Sequence, residues 1–228
     1  MSFFNPGTFK YSTTCLLVFL TVCRPDLAKA QEKIGFGVHI DPLIGWFTSD
    51  IRNVTPAGAR AGLNFGLTFN RYFRENYAFS AGVSLITAGG SLLYRDSTTL
   101  MLAGPTDLPP EMTVNYSIKY LAVPFGLKLQ SNQIGYVRFF TDIGLDPKFV
   151  LGGKAEIPAM KISKENADSE LKSFNMGYHI TGGIEYSLGG TTAVVLGLNF
   201  DSNFIDITDQ PLDKILHKML GFRLGLNF

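Results

Sequence analysis

The chain has 228 residues, a formal net charge of +1 and 17% charged residues, against about a quarter in an average soluble protein. Such a balance leaves no electrostatic footprint for nucleic acid. Phe contributes 19 residues and Gly 24, yet no internal apolar run reaches the roughly 20 residues of a membrane helix, so the apolar surface must be spread over many short alternating segments.

The first 30 residues read as an export signal. Lys10 supplies positive charge, Cys15 to Cys23 form a short apolar core, and Ala28-Lys29-Ala30 offers a small-x-small cleavage site. This divides the chain into a signal peptide, 1–30, and a mature barrel domain, 31–228. Lipidation at Cys23 is the alternative, although Val22 is larger than the residue a lipidation motif places before its cysteine. Both cysteines belong to the export segment. A mature chain cut after Ala30 has no disulfide, thiol catalysis or cysteine metal site.

Period-2 alternation then recurs. Ile34, Phe36, Val38 and Ile40 alternate with Gly35, Gly37, His39 and Asp41; Ala61, Leu63, Phe65, Leu67 and Phe69 alternate with Gly62, Asn64, Gly66, Thr68 and Asn70. Tyr77 to Leu85 is a third strand. The fourth runs from about Val114 to Leu129 and changes phase: Val114, Tyr116, Ile118 and Tyr120 share one parity, Leu121, Val123, Phe125 and Leu127 the other. A bulge near Tyr120–Leu121 explains the change, and Pro124, which lacks a ladder donor, marks a local break. Val137 to Leu145, Phe174 to Tyr186 and Thr192 to Phe200 add three more strands. Apolar residues at i, i+2 and i+4 would circle a helix rather than form a stripe, which excludes helix for most of these. The eighth strand closes the chain, with Leu220, Phe222, Leu224, Leu226 and Phe228 alternating with Gly221, Arg223, Gly225 and Asn227.

Connections alternate in length. Arg71–Asn76, Ser131–Gln133 and Ser187–Gly190 are short, whereas Phe47–Gly58, Ala88–Met112, Pro147–Leu171 and Asn203–Lys218 are long. That pattern predicts an all-β, eight-stranded antiparallel transmembrane β-barrel with short periplasmic turns, long extracellular loops and both termini periplasmic. Phe69, Tyr72, Tyr77, Phe79, Tyr186 and Phe228 are expected to form one aromatic girdle, and Trp46, Phe47, Phe174, Tyr178 and Phe200 the other. The last strand, ending on Phe228, resembles the signal by which outer-membrane barrels are recognised and inserted. It implies the barrel-assembly machinery and outer-membrane lipid as partners.

Ile34–Trp46, Arg60–Ser91 and Lys119–Gly144, with the glycine spacing, the Tyr-Leu-x-Val-Pro segment and the Asn-Tyr-Ala turn, resemble the PorT-like family of small outer-membrane barrels. The family pattern often carries an acidic residue where Ala122 stands. The resemblance implies a barrel in the cell outer membrane of a Gram-negative envelope and, through the name-giving member, a link to protein secretion.

The lumen-facing set is expected to contain Asp41, Lys128, Arg138, Asp142, His179, Glu185 and Arg223, with His39 and an Arg138–Glu185 ion pair. Charges removed from bulk water need partners, so this set reads first as a polar plug. A nucleophile–base–orienter constellation cannot be assembled, and no G-x-S-x-G elbow is present. Asp201, Asp206, Asp209 and Asp213 match no EF-hand spacing. Leu212, Ile215, Leu216 and Met219, after Pro211, have helical spacing before the last strand. The expected function is that of a non-enzymatic integral outer-membrane protein with no catalytic, cofactor or metal site. It acts through its extracellular loops in binding, adhesion or envelope support, with a secretion-system or extracellular partner. The alternatives are an accessory subunit of a PorT-type secretion machinery and a narrow pore for small solutes.

Overall fold

The computed structural model describes residues 33–50, 52–207 and 215–228. The expected signal peptide, Asp209, Pro211, Leu212 and Asp213 lie outside them. The strands are β1 (Ile34–Ser49), β2 (Val54–Arg74), β3 (Tyr77–Tyr94), β4 (Thr98–Met101), β5 (Pro105–Leu108), β6 (Met112–Ala122), β7 (Phe125–Gln130), β8 (Val137–Ile157), β9 (Ile162–Asn166), β10 (Phe174–Gly189), β11 (Thr192–Asn203) and β12 (Ile215–Asn227). β6 and β7 together form one wall strand between β3 and β8. The ring runs β1, β2, β3, β6 with β7, β8, β10, β11 and β12, antiparallel throughout, and closes where β12 pairs with β1. Phe36 and Phe228 exchange backbone hydrogen bonds at the seam, 3.2 and 2.7 Å. Closure leaves no wall strand with an unpaired edge, which a barrel in hydrocarbon requires.

Alternation carries the apolar set of each strand outward. Phe36, Ile40, Leu67, Phe79, Leu85, Phe125, Ile143, Ile180, Leu198 and Leu224 are all exposed on the outer wall. Such a continuous apolar surface fits lipid rather than water. Tight turns at one end, here the turn end, connect β2 to β3 and β10 to β11. In the second, Gly189 and Gly190 have φ of 106° and 62°, a conformation that side-chain-bearing residues rarely adopt.

Toward the opposite, loop end the pattern inverts. Leu43, Phe47, Ile86, Leu92, Tyr94, Val114, Tyr116, Ile118, Tyr120, Ala155, Ile157 and Met219 point inward and form one packed core. The outward residues of the same stretches, such as Thr113, Asn115, Ser117 and Lys119, are polar. The turn half is therefore wet inside and greasy outside, and the loop half is greasy inside and wet outside.

This inversion corrects the expected phase slip in the fourth run. Val114, Tyr116, Ile118, Tyr120 and Ala122 point inward, and so do Lys128 and Gln130 farther along. The parity never changes; what changes is the solvent on each face. The interruption sits at Val123–Pro124, where Pro124 O accepts from Gly82 N (2.9 Å) and Val123 N donates to Pro147 O (2.9 Å). The bulge lies on the partner strand, where the register shifts beside Leu151 of β8.

The long connections are also more regular than expected. β2 and β8 each run for 21 residues, about twice the 9–11 a strand needs to cross a bilayer. Most of Ala88–Met112 and Pro147–Leu171 is strand or 3-10 turn. The β4–β5 hairpin folds over the loop end and buries Leu100 and Leu108 in the core. Ile215, Leu216 and Met219 belong to β12 rather than to a helix, because a spacing of four is common to both periods. Two girdle assignments change: Phe47 and Tyr72 point inward. Leu108→Ala should leave a cavity beneath the hairpin and cost about 2–5 kcal/mol locally. Faster protease cleavage within residues 95–111, with the wall intact, is the expected readout.

Candidate functional site in the barrel lumen

Asp41, Lys128, Arg138, Asp142, His179, Glu185 and Arg223 all lie on inward positions, and they divide into three layers. Nearest the turn end, the Glu185 carboxylate accepts from Lys128 Nζ (2.5 Å), Gln130 Nε2 (2.7 Å) and Asn227 Nδ2 (2.7 Å). The Lys128 ammonium also sits over the Phe140 ring, 5.1 Å from its centroid. Arg138 faces Glu185 directly in the β8–β10 register, yet the expected ion pair is not formed. Both carboxylate oxygens are already taken by three donors from β7 and β12. The Arg138 Nε is buried without a hydrogen-bond partner among the described residues.

In the middle layer Asp41 is wholly buried and held by the Arg223 guanidinium. Nη2 donates at 2.9 Å and Nε at 3.2 and 3.3 Å, while Asn64 Nδ2 adds a bond of 3.0 Å. This forked contact fits an arginine better than a lysine, because the planar guanidinium spans both carboxylate oxygens. His39 Nε2 stands 3.8 Å from Asp41, beyond hydrogen-bond reach, and neither ring nitrogen has a hydrogen-bond partner among the described residues.

Higher still, His179 is bracketed by two carboxylates, Asp146 on Nδ1 (2.6 Å) and Asp142 on Nε2 (3.5 Å). Lys148 then donates to Asp201 (2.5 Å) and Asn203 (2.8 Å). The sequence reading missed Asp146 and Lys148 because it ended the strand at Leu145. Their signal was parity, since Asp142, Gly144, Asp146 and Lys148 continue the inward series. Asp201 leaves the acidic loop set, because it points inward from β11 to Lys148. Asp206 instead binds Lys172 Nζ (3.0 Å) and the Ile215 N–H (2.9 Å). Among the described residues no group of His, Cys, Asp and Glu has the grouping to hold a metal ion.

Above Lys148 the lumen closes. Tyr120 Oη lies 3.0 Å from His217 Nδ1, and the Phe47 ring packs tilted at 46° to the His217 ring, 4.9 Å between centroids. Two small cavities lie below, of about 40 and 20 Å³, sharing His39, Thr68, Asp142 and Arg223 in their linings. Each has room for water among polar side chains. The arrangement can order water and lock the wall. Among the described residues neither His39 nor His179 is hydrogen-bonded to a hydroxyl: the first has no hydrogen-bond partner and the second is bonded to acids.

The family model described as outer membrane protein beta-barrel domain matches residues 29–209. No curated protein matches the chain. Among solved structures, Neisserial surface protein A is similar at 11% identity over 84% of this chain and 95% of that one, with a TM-score of 0.46. Ail, the attachment invasion locus protein of Yersinia pestis, is similar at 11% identity over 85% and 98%, TM-score 0.41. The outer membrane protein OprG from Pseudomonas aeruginosa is similar at 11% identity over 85% and 94%, TM-score 0.44.

Proposed function

The chain belongs to the outer membrane protein beta-barrel domain family, and from that membership we propose that it is an integral outer-membrane protein working through its loop-end platform. Its task on this reading is binding, adhesion or envelope support, with no catalytic step. The mature chain begins after Ala30, and the turn end faces the periplasm with both termini.

The observation that carries this reading is the inversion of the wall. Strands twice the length of a membrane crossing continue beyond the apolar belt and enclose an apolar core of their own. A loop end that only connected strands would not need such a core. It holds a fixed, water-facing surface, which is what a rigid scaffold offers to a partner. The pore reading draws less support, because Tyr120, Phe47 and His217 close the lumen above the charged layers.

One feature favours a second reading, an accessory subunit of a PorT-type secretion machinery. Ile134, Tyr136 and Leu188 are exposed by 68, 67 and 59% at the tips of the turn end. Apolar tips at that level suit another envelope protein as well as lipid headgroups.

Sidedness has a direct test. Gly104 is open on all sides and Glu75 sits at a turn tip, so each accepts cysteine without strain. A membrane-impermeant maleimide should label Gly104→Cys on intact cells and Glu75→Cys only after the outer membrane is permeabilised. The reverse pattern would overturn the orientation. The mass of the gently extracted native protein separates a free-standing barrel from a subunit of a larger complex.

A further inference from the structure

On four adjacent strands the apolar belt ends close to one level. Leu63, Leu85, Leu121 and Phe149 stand there on β2, β3, β6 and β8, linked in register as Leu85 with Leu121 and Leu121 with Phe149, and the bulge residue Leu151, 59% exposed, carries the belt one step higher on β8. The next outward positions are Thr87 on β3, paired with Lys119 on β6, and Gly152 on β8, which faces Lys119. One step higher, Gly89 pairs with Ser117 and Ser117 with Lys154. Lys119 and Lys154 are thus diagonal neighbours on one face, which places their Cα atoms about 7–8 Å apart. Gly89, Ser117 and Gly152 flank them, with the Asp168 carboxylate beside Gly152 and the bulged Leu151 next to it on β8.

Both lysines are exposed, and neither has an ion-pair partner among the described residues. Two of the nearby acids are hydrogen-bonded elsewhere. Glu156 takes Arg60 Nη2 at 3.4 Å, and Asp168 accepts the Gly153 N–H (2.6 Å) and Asn166 Nδ2 (2.9 Å). Two cations stand at the height where hydrocarbon gives way to headgroup, directly above an apolar wall. An amphiphile with acyl chains below and phosphate above satisfies both surfaces at once, whereas a soluble anion would use only the lysines.

We propose that the outward shelf formed by Lys119 and Lys154, above Leu85, Leu121 and Phe149, is a docking site for a phosphate-bearing acylated lipid of the outer leaflet. This rests on the sidedness proposed above, but the site itself is defined by the wall. Charge near a headgroup contributes enough that each lysine removed should weaken retention roughly fivefold, and both together roughly thirtyfold.

Native mass spectrometry of the full-length barrel in detergent tests this without reference to orientation. Bis-phosphorylated lipid A is the probe, with its dephosphorylated form and inorganic phosphate as comparisons. Retention of the phosphorylated lipid should fall in Lys119→Gln and Lys154→Gln, fall furthest in the double variant, and hold in Lys161→Gln, which removes the same charge from a loop tip. Glu156→Gln, which frees Arg60, should tighten it. Heat-dependent gel mobility confirms that each variant is folded. Equal retention by the wild type and the double variant would overturn the proposal. So would equal retention of the dephosphorylated lipid, or displacement of the lipid by inorganic phosphate at comparable concentration.

Discussion

Leu224→Arg should cost about 2–4 kcal/mol of folding stability in a bilayer and sharply lower the yield of assembled protein. Leu224 points outward from β12 between Ile40 of β1 and Leu196 of β11, in the apolar belt. An arginine there must carry its charge into hydrocarbon or thin the bilayer around it. The informative contrast is Thr113→Arg. Thr113 also points outward, from β6 opposite Leu93, but above the belt. Its outward face meets water, so the same residue should change stability by no more than about 0.5 kcal/mol. Refolding into vesicles followed by urea titration measures both. Equal costs would mean that the two halves of the wall share one solvent, and the inversion would be wrong.

That inversion also explains how much of the fold was legible in the residues. Alternation in β1, β2, β3, β10, β11 and β12 gave the wall and its two faces, because in the turn half the apolar parity is the outward one, with Tyr72, Ala78, Phe140 and Val195 as inward exceptions. The same rule misled at Val114 to Tyr120. There the apolar parity is the inward one, and a local reading has no means of knowing that the solvent has changed sides. A bulge is the cheapest local explanation; the actual cause is the height of the strand relative to the belt. The long connections failed for the same reason, since strands leaving lipid lose the lipid-facing signature. Within the lumen, parity alone found Asp41, Lys128, Asp142, His179, Glu185 and Arg223. It could not choose partners. Arg138 lies in register with Glu185, but Lys128, Gln130 and Asn227 reach the carboxylate from neighbouring walls. Pairing across a lumen depends on barrel curvature and side-chain length, which no single strand encodes.

Lys148→Met should be among the most damaging substitutions in the lumen, costing about 3–5 kcal/mol. Lys148 is fully buried, and its ammonium binds Asp201 and Asn203 where the charged layers meet the apolar core. Asp146 on the same inner face is held by His179 Nδ1 at 2.6 Å, so Lys148 is the cation bonded to Asp201. Methionine fills nearly the same volume and leaves the buried Asp201 carboxylate without its cation. Asp201→Asn should cost less, because the amide still accepts from Lys148 and Asp146 still supplies negative charge nearby. The double variant Lys148→Met with Asp201→Asn should recover part of the loss, giving a coupling energy of about 1–3 kcal/mol in a double-mutant cycle. Additive losses would show that the two side chains do not act as a pair. A full loss should also loosen the loop half, because Asp201 and Asn203 end β11 and Lys148 ties both to β8. Faster protease cleavage after Asn203 in Lys148→Met, absent in the double variant, would tie the buried cation to the rigidity of the platform above it.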